Sequence, residues 1–193
     1  MFNTLKFLLI TCLLTCSLWV CAQDKTDLSY DYDKMVDHPR LLLKQGGEEA
    51  IRASLHRNPE FQRIDRYIRE VCDELIDEPT LVFKKEGKRL LAVSRRALTR
   101  LYYLSYSYRM TDDIRYLRRA EEELKAVSAF ESWNPSHFLD VGEMAMGVAI
   151  AYDWLYDDLQ DDTRKLVRQA IVEKAFKPSY VSGDNSFLTR HNN

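Results

Sequence analysis

From Phe138 to Leu155 the apolar positions Phe138, Val141, Ala145, Val148, Tyr152 and Leu155 follow one another in steps of three and four. That spacing places them on one stripe of an α-helix. Leu139, Met146, Ala149, Ile150 and Trp154 cover most of the other side. A helix that is apolar nearly all round is expected to be buried on all sides. Pro135 and Ser136 supply its start signals, since Pro suits a first turn and Ser is a preferred N-cap. Gly142 and Gly147 each lower helix propensity by about 1 kcal/mol relative to Ala, and their expected use is to let a neighbouring helix come close.

The same period recurs through most of the chain. A short helix is predicted over 47–56. Asn58 and Pro59 cap and start a second, with Phe61, Ile64, Ile68, Val71, Cys72 and Leu75 as its buried face, ending before Pro79. Residues 80–83 read as a short extended piece. A long helix is predicted over 85–110, with Leu90, Val93, Ala97, Leu101 and Leu104 in line. Thr111, Asp112 and Asp113 cap the next, over 112–130. The central helix runs to about residue 158, and Gln160, Asp161 and Asp162 open another that closes before Pro178. Residues 179–193 read as a loop. The expected fold class is all-α: antiparallel helical hairpins around one buried helix, which suggests part of an incomplete (α/α) toroid or a solenoid rather than a four-helix bundle.

Residues 1–22 read as a signal peptide: Lys6 gives a positive start, residues 7–20 an apolar run too short to span a membrane, and Val20-Cys21-Ala22 a cleavage pattern. A lipoprotein anchored through Cys21 is the alternative. The expected location is periplasmic or secreted. Residues 23–37 are polar and acid-rich and read as a linker or arm, and 38–193 as the folded domain. Cleavage removes three of the four cysteines and leaves Cys72, on an apolar helical row, as a buried inert thiol. It also removes Lys6, one of 28 basic residues, and none of the 30 acidic ones, so the net charge moves from −2 to −3. That balance argues against a nucleic-acid partner. Four His at 38, 56, 137 and 191 are scattered, so neither a metal site nor a cofactor is expected. The arginine groups Arg95, Arg96, Arg100 and Arg115, Arg118, Arg119 read as solvated helix faces. Tyr102, Tyr103, Tyr106 and Tyr108 read as packing rings with hydroxyls near water, or as a surface for sugars to stack on.

The candidate chemistry lies at the start of the central helix. Asp140 and Glu143 are three apart and share a face, with His137 just before them. One reading is helix-end chemistry, in which the acids favour the N-terminus and an arginine satisfies them. The other places Ser136, His137, Asp140 and Glu143 at the mouth of a ligand cleft.

Three stretches together resemble the N-terminal half of the bacterial heparinase II/III-like polysaccharide lyases: HPRLLL from residue 38, WNPSHFLDVGEMAMGVAIAYDWLYDDL from residue 133, and HNN from residue 191. The resemblance covers essentially all of the chain after residue 22, and only part of the family's usual length, so a fragment is expected. It implies an (α/α) toroid followed by a β-sandwich region, acting on acidic polysaccharides that contain uronic acid by β-elimination. It further implies that Asn193, with Asn192, neutralises the uronate carboxylate. His137, Asp140, Glu143, Arg190 and His191 then contact substrate. The base, Tyr or His, belongs to later parts of the family, so this stretch alone is expected not to cleave. Two rivals remain: a glycoside hydrolase on a similar toroid, which needs two opposed carboxylates, and a non-catalytic helical module that binds glycan or protein.

If the leader is cleaved as read, Gln23 is the first residue of the exported protein, and N-terminal sequencing checks it. A lipid-modified Cys21 at the N-terminus would contradict this.

Overall fold

The structure is a computed structural model that describes residues 34–180. Among the described residues, 34–36 belong to a separate N-terminal unit and 37–180 to one compact unit. The leader 1–22, nearly all of the 23–37 arm and the tail with Arg190, His191, Asn192 and Asn193 lie outside the described residues.

The chain is all-α. The helices are α1 (Gly47–Arg57), α2 (Pro59–Asp77), α3 (Leu91–Thr111), α4 (Ile114–Ser128), α5 (Phe138–Trp154) and α6 (Asp161–Ile171). A π-helical turn, Val172–Phe176, and a short α7, Lys177–Tyr180, follow. Among the described residues there is no strand, only an isolated bridge between Glu86 and Arg89. No helix among them is long and apolar enough to cross a membrane.

Local chemistry explains most boundaries. The Asn58 side chain accepts from the Glu60 amide at 2.9 Å, with Pro59 at the first helical position, so α2 starts where its cap and its proline allow. Asp112 takes a left-handed conformation (φ 59°) that ends α3, and the Asp113 side chain then caps α4 on the Arg115 amide. Several boundaries differ from the reading of the sequence: α5 ends at Trp154 rather than near residue 158, and the last helical run passes Pro178 to reach Tyr180. The helix predicted from residue 85 begins only at Leu91, because residues 86–89 close into a tight turn with Gly87 at φ 60°. The cap of α5 is His137 rather than Ser136, and it makes no side-chain cap bond; Ser136 bonds Asn134 instead.

The core lies where α3 and α5 cross, flanked by α4. The row Leu90, Val93, Ala97, Leu101, Leu104 is buried as expected, as are Val141, Val148 and Leu155 of α5. Ala145 and Tyr152 are only partly buried. Arg100 and Arg119, read as solvated, are buried, at 9% and 5% exposed, and two expectations of burial fail. Phe61 and Ile64 of α2 are 48% and 54% exposed, because α1 covers α2 only in part. Nor is α5 buried all round: Leu139 and Met146 are 52% and 53% exposed, and Gly142 is exposed. Periodicity identifies an apolar face, but the neighbour that covers it is a tertiary fact. Cys72 is fully buried, and burial pushes its thiol up to about 11, so it is an inert core residue.

The buried Glu123 carboxylate of this core is paired, whereas the buried hydroxyls of Ser94, Ser105 and Ser128 and Arg119 Nε find no partner. Glu123 of α4, fully buried, accepts from Arg100 Nη1 and Arg119 Nη2 at 2.6 Å each and from the Leu81 amide at 3.1 Å. One carboxylate therefore ties α3, α4 and the segment after α2 together.

The two α5 glycines have opposite roles. A methyl group at Gly147 would lie 2.7 Å from the Leu98 Cα and 3.1 Å from its nitrogen, whereas one at Gly142 meets nothing within 4 Å. Gly147 is therefore the point at which α3 and α5 touch backbone to backbone. Gly147→Ala is expected to destabilise by about 1–3 kcal/mol through overpacking. Gly142→Ala should stabilise by up to ~1 kcal/mol through helix propensity. Thermal melts of the two variants against the parent check the contact, and equal shifts would contradict it.

Candidate functional site

The segment before α5 is built around one buried carboxylate. Trp133 is fully buried, with its indole Nε1 donating to the Val127 carbonyl at 3.0 Å, and this anchors the chain as it leaves α4. Asn134 follows in a left-handed conformation (φ 62°), which an Asn tolerates. Its side-chain amide donates to the Lys88 carbonyl at 2.9 Å and to Asp140 Oδ2 at 2.6 Å. Its own carbonyl oxygen accepts from the Ser136 hydroxyl. Asp140 Oδ2 also accepts from the Leu90 amide at 2.6 Å, and its Oδ1 lies 2.6 Å from His137 Nδ1.

Asp140 is fully buried, so it is no cleft-lining acid: its oxygens are taken up by three protein donors. A carboxylate oxygen accepts, so in this contact the imidazole Nδ1 is the donor to Asp140, and Nε2 is the ring nitrogen left to meet an outside partner. The His137 side chain is 30% exposed, so the imidazole is both oriented from behind and reachable. Glu143 sits one turn on, with Arg95 Nε of α3 donating to its two oxygens at 3.1 and 3.0 Å. The structure therefore supports the helix-end reading of the two carboxylates. The carboxylates are satisfied as helix-end acids, and His137 is the group that faces outward.

Sequence reasoning missed what lies beside it. Residues 84–89, KKEGKR, form an exposed turn in which Glu86 and Arg89 exchange both backbone hydrogen bonds, at 2.9 and 3.1 Å. Asn134 holds the turn at the Lys88 carbonyl, and Asp140 holds it at the Leu90 amide. The available signal was Gly87, which is a poor residue for the first turn of a helix.

The role of HPRLLL was also illegible in the sequence. It straps the far end of α5, where Asp153, 2% exposed, accepts from the Arg40 and Leu41 amides at 2.8 and 2.7 Å and meets His38 Nδ1 at 2.6 Å. Trp154 Nε1 donates to the Leu41 carbonyl, and the His38 ring stacks on Tyr156 at 4.0 Å. The tyrosines of α3 do not act as one surface. Tyr102 packs against Trp154, the Tyr106 hydroxyl donates to buried Asp65, and Tyr102 and Tyr106 line an apolar cavity of about 410 Å³ between α1, α2 and α3.

Burial pushes the phenols of Tyr106, Tyr108, Tyr116 and Tyr152 above their ordinary value, to about 12 for Tyr108 and Tyr116. That is the wrong direction for a residue meant to take up a proton near neutral pH. Among the described residues no three His, Cys, Asp or Glu come together as a metal site. Arg190, His191, Asn192 and Asn193 lie outside the described residues, so their placement relative to His137 is not described. No family model matches the chain, and the search among curated proteins finds no match.

The pinning of the turn by Asp140 has a local consequence. Asp140→Ala leaves three donors without their acceptor and is expected to cost about 3 kcal/mol or more. Hydrogen exchange of the Leu90 amide should accelerate beyond what the global destabilisation explains. Unchanged protection at Leu90 would contradict the pinning.

Proposed function

We propose that this chain is the N-terminal part of a secreted polysaccharide lyase of the heparinase II/III-like type, part of an (α/α) toroid, acting on glycans that contain uronic acid. The observation that supports this best is the arrangement at the start of α5: an accessible His137, oriented by a buried Asp140 that also fixes a cationic turn. It occurs within the stretch that carries the resemblance. Elimination requires that the uronate carboxylate be neutralised, that the adjacent proton be removed, and that the leaving oxygen be protonated. Positive charge close to the imidazole suits the first of these needs. In this reading Asn193 and Asn192 neutralise the carboxylate. His137 contacts substrate, as do Arg190 and His191. Asp140 and Glu143, named as contacts from sequence, act as positioning groups that hold His137 and Arg95.

The hydrolase reading is disfavoured. Retaining and inverting enzymes use two carboxyl groups facing each other across a bond. Here Asp140 is buried and bonded, and Glu143 is held by Arg95 on the same helix face. A binding module without catalysis draws support from the same cationic turn.

The test incubates the protein, in its longest natural form, with several uronate polymers while following ultraviolet absorbance and reducing ends together. Elimination makes both rise in step, because each cleavage leaves an unsaturated sugar. Reducing ends without absorbance mean hydrolysis, and binding with neither signal means a module. Asn193→Ala should lower turnover about 10²–10³-fold, the loss typical of one charge-stabilising donor.

A further inference from the structure

The turn at residues 84–89 carries Lys84, Lys85, Lys88 and Arg89 against one acid, Glu86, a net +3 on a chain whose total is −2. All six residues are exposed. None of the four cations forms an ion pair with an acid of the described residues; Lys85 lies 5.6 Å over the Phe83 ring. Like charges packed this closely repel one another, so a solvated run of this composition gains nothing from being held in one shape.

Yet it is held at four places. The Leu81 amide is bonded to buried Glu123, and the Phe83 ring packs edge-on against Phe130 at 5.7 Å. Asn134, itself 1% exposed, grips the Lys88 carbonyl, and the Leu90 amide is bonded to Asp140, with the Leu90 side chain fully buried. Two of the buried groups that hold the turn belong to the segment that positions His137. One carboxylate, Asp140, touches both the turn and the imidazole at 2.6 Å.

Resting on the lyase reading, we infer that residues 84–89 form a preorganised cationic rim of the His137 site that takes the carboxylate or sulfate groups of an acidic polysaccharide. A backbone already fixed in place loses little freedom on binding, so the charge it carries goes further into attraction for the polymer. Lys84, Lys88 and Arg89 are the contacting residues, and Asn134 and Asp140 are positioning residues. Chains bearing an anionic group on successive sugars would meet several of these cations at once.

The test compares two fourfold neutralisations of the protein in its longest natural form. One is Lys84→Gln, Lys85→Gln, Lys88→Gln, Arg89→Gln. The other removes the same charge elsewhere: Arg57→Gln, Arg63→Gln, Arg66→Gln, Lys165→Gln. Binding is measured by calorimetry to heparin, to polygalacturonate, to neutral dextran and to duplex DNA, at an ionic strength where screening reaches about 10 Å. Both variants should melt like the parent, since all eight residues are exposed. The turn variant should lose tenfold or more in affinity for heparin or polygalacturonate or both, and the control less than twofold. The two polymers distinguish sulfate from carboxylate recognition. A triple Lys→Arg variant at 84, 85 and 88 should retain binding; if the Gln variant is misfolded, this variant together with Arg89→Gln alone carries the comparison. Equal losses in both fourfold variants, or DNA bound as tightly as the polysaccharides, would overturn the rim.

The ultraviolet assay on the same samples separates the two proposals. Unsaturated product formed equally by parent and turn variant retains the lyase and overturns the rim. Turn-dependent binding with no unsaturated product from any polymer retains the rim as a glycan surface and overturns the lyase.

Discussion

A carboxylate inside a protein must find donors, because removing it from water without them costs several kcal/mol. Helix α5 carries two such carboxylates, Asp140 near its start and Asp153 near its end, each almost wholly buried. Each meets a His Nδ1 at 2.6 Å and backbone N–H from a segment distant in sequence, Leu90 for Asp140 and both Arg40 and Leu41 for Asp153, with the Asn134 side chain adding a donor to Asp140. The consequence is mechanical. The Leu90 region is drawn to one end of the helix and the His38–Leu41 strap to the other. Much of what surrounds α5 is arranged to supply these bonds.

Between those ends the constraint is steric. Gly147 lets α3 approach α5 until backbone meets backbone at Leu98, and the small or aliphatic residues Ala97, Leu101 and Val148 fill the crossing. Close packing of this kind transmits position faithfully, since a well-packed interior does not deform smoothly. The Glu123–Arg100–Arg119 cluster extends the same order to α4 and to the segment entering the cationic turn. The turn is thus flanked by two buried carboxylates, one on α4 and one on α5.

The candidate site follows from this frame. Asp140 serves as support, and the chemistry it supports is the outward imidazole of His137 and the cations next to it. Charges on the Glu143 side are balanced across helices by Arg95, which keeps α3 and α5 in register beside the site. The far end of α5 is a stacked His–Tyr arrangement beneath a backbone strap, and it explains HPRLLL as an anchor.

Helical period and caps were enough to place α1, α2 and α4 closely, to find the start of α6 and to identify the buried rows of α3, because these features depend on neighbours within a turn or two. The same local reasoning picked out His137, Asp140 and Glu143 as an unusual polar group on an apolar helix. It could not say which of them is buried, because the Leu90 amide and Asn134 that enclose Asp140 are decided by how the chain returns on itself. Nor could it show that residues 85–90 leave the helix, since buried acceptors for that turn lie on α4 and α5. Exposure of Leu139, Met146, Phe61 and Ile64 was equally out of reach, as an apolar stripe says what a helix offers and only the packing says what covers it. The amino-acid sequence by itself determined an all-helical chain with an unusual polar group at the head of α5. The tertiary structure alone decided that Asp140 supports and His137 faces outward, because the burial of a charge is fixed by donors that come from elsewhere in the fold.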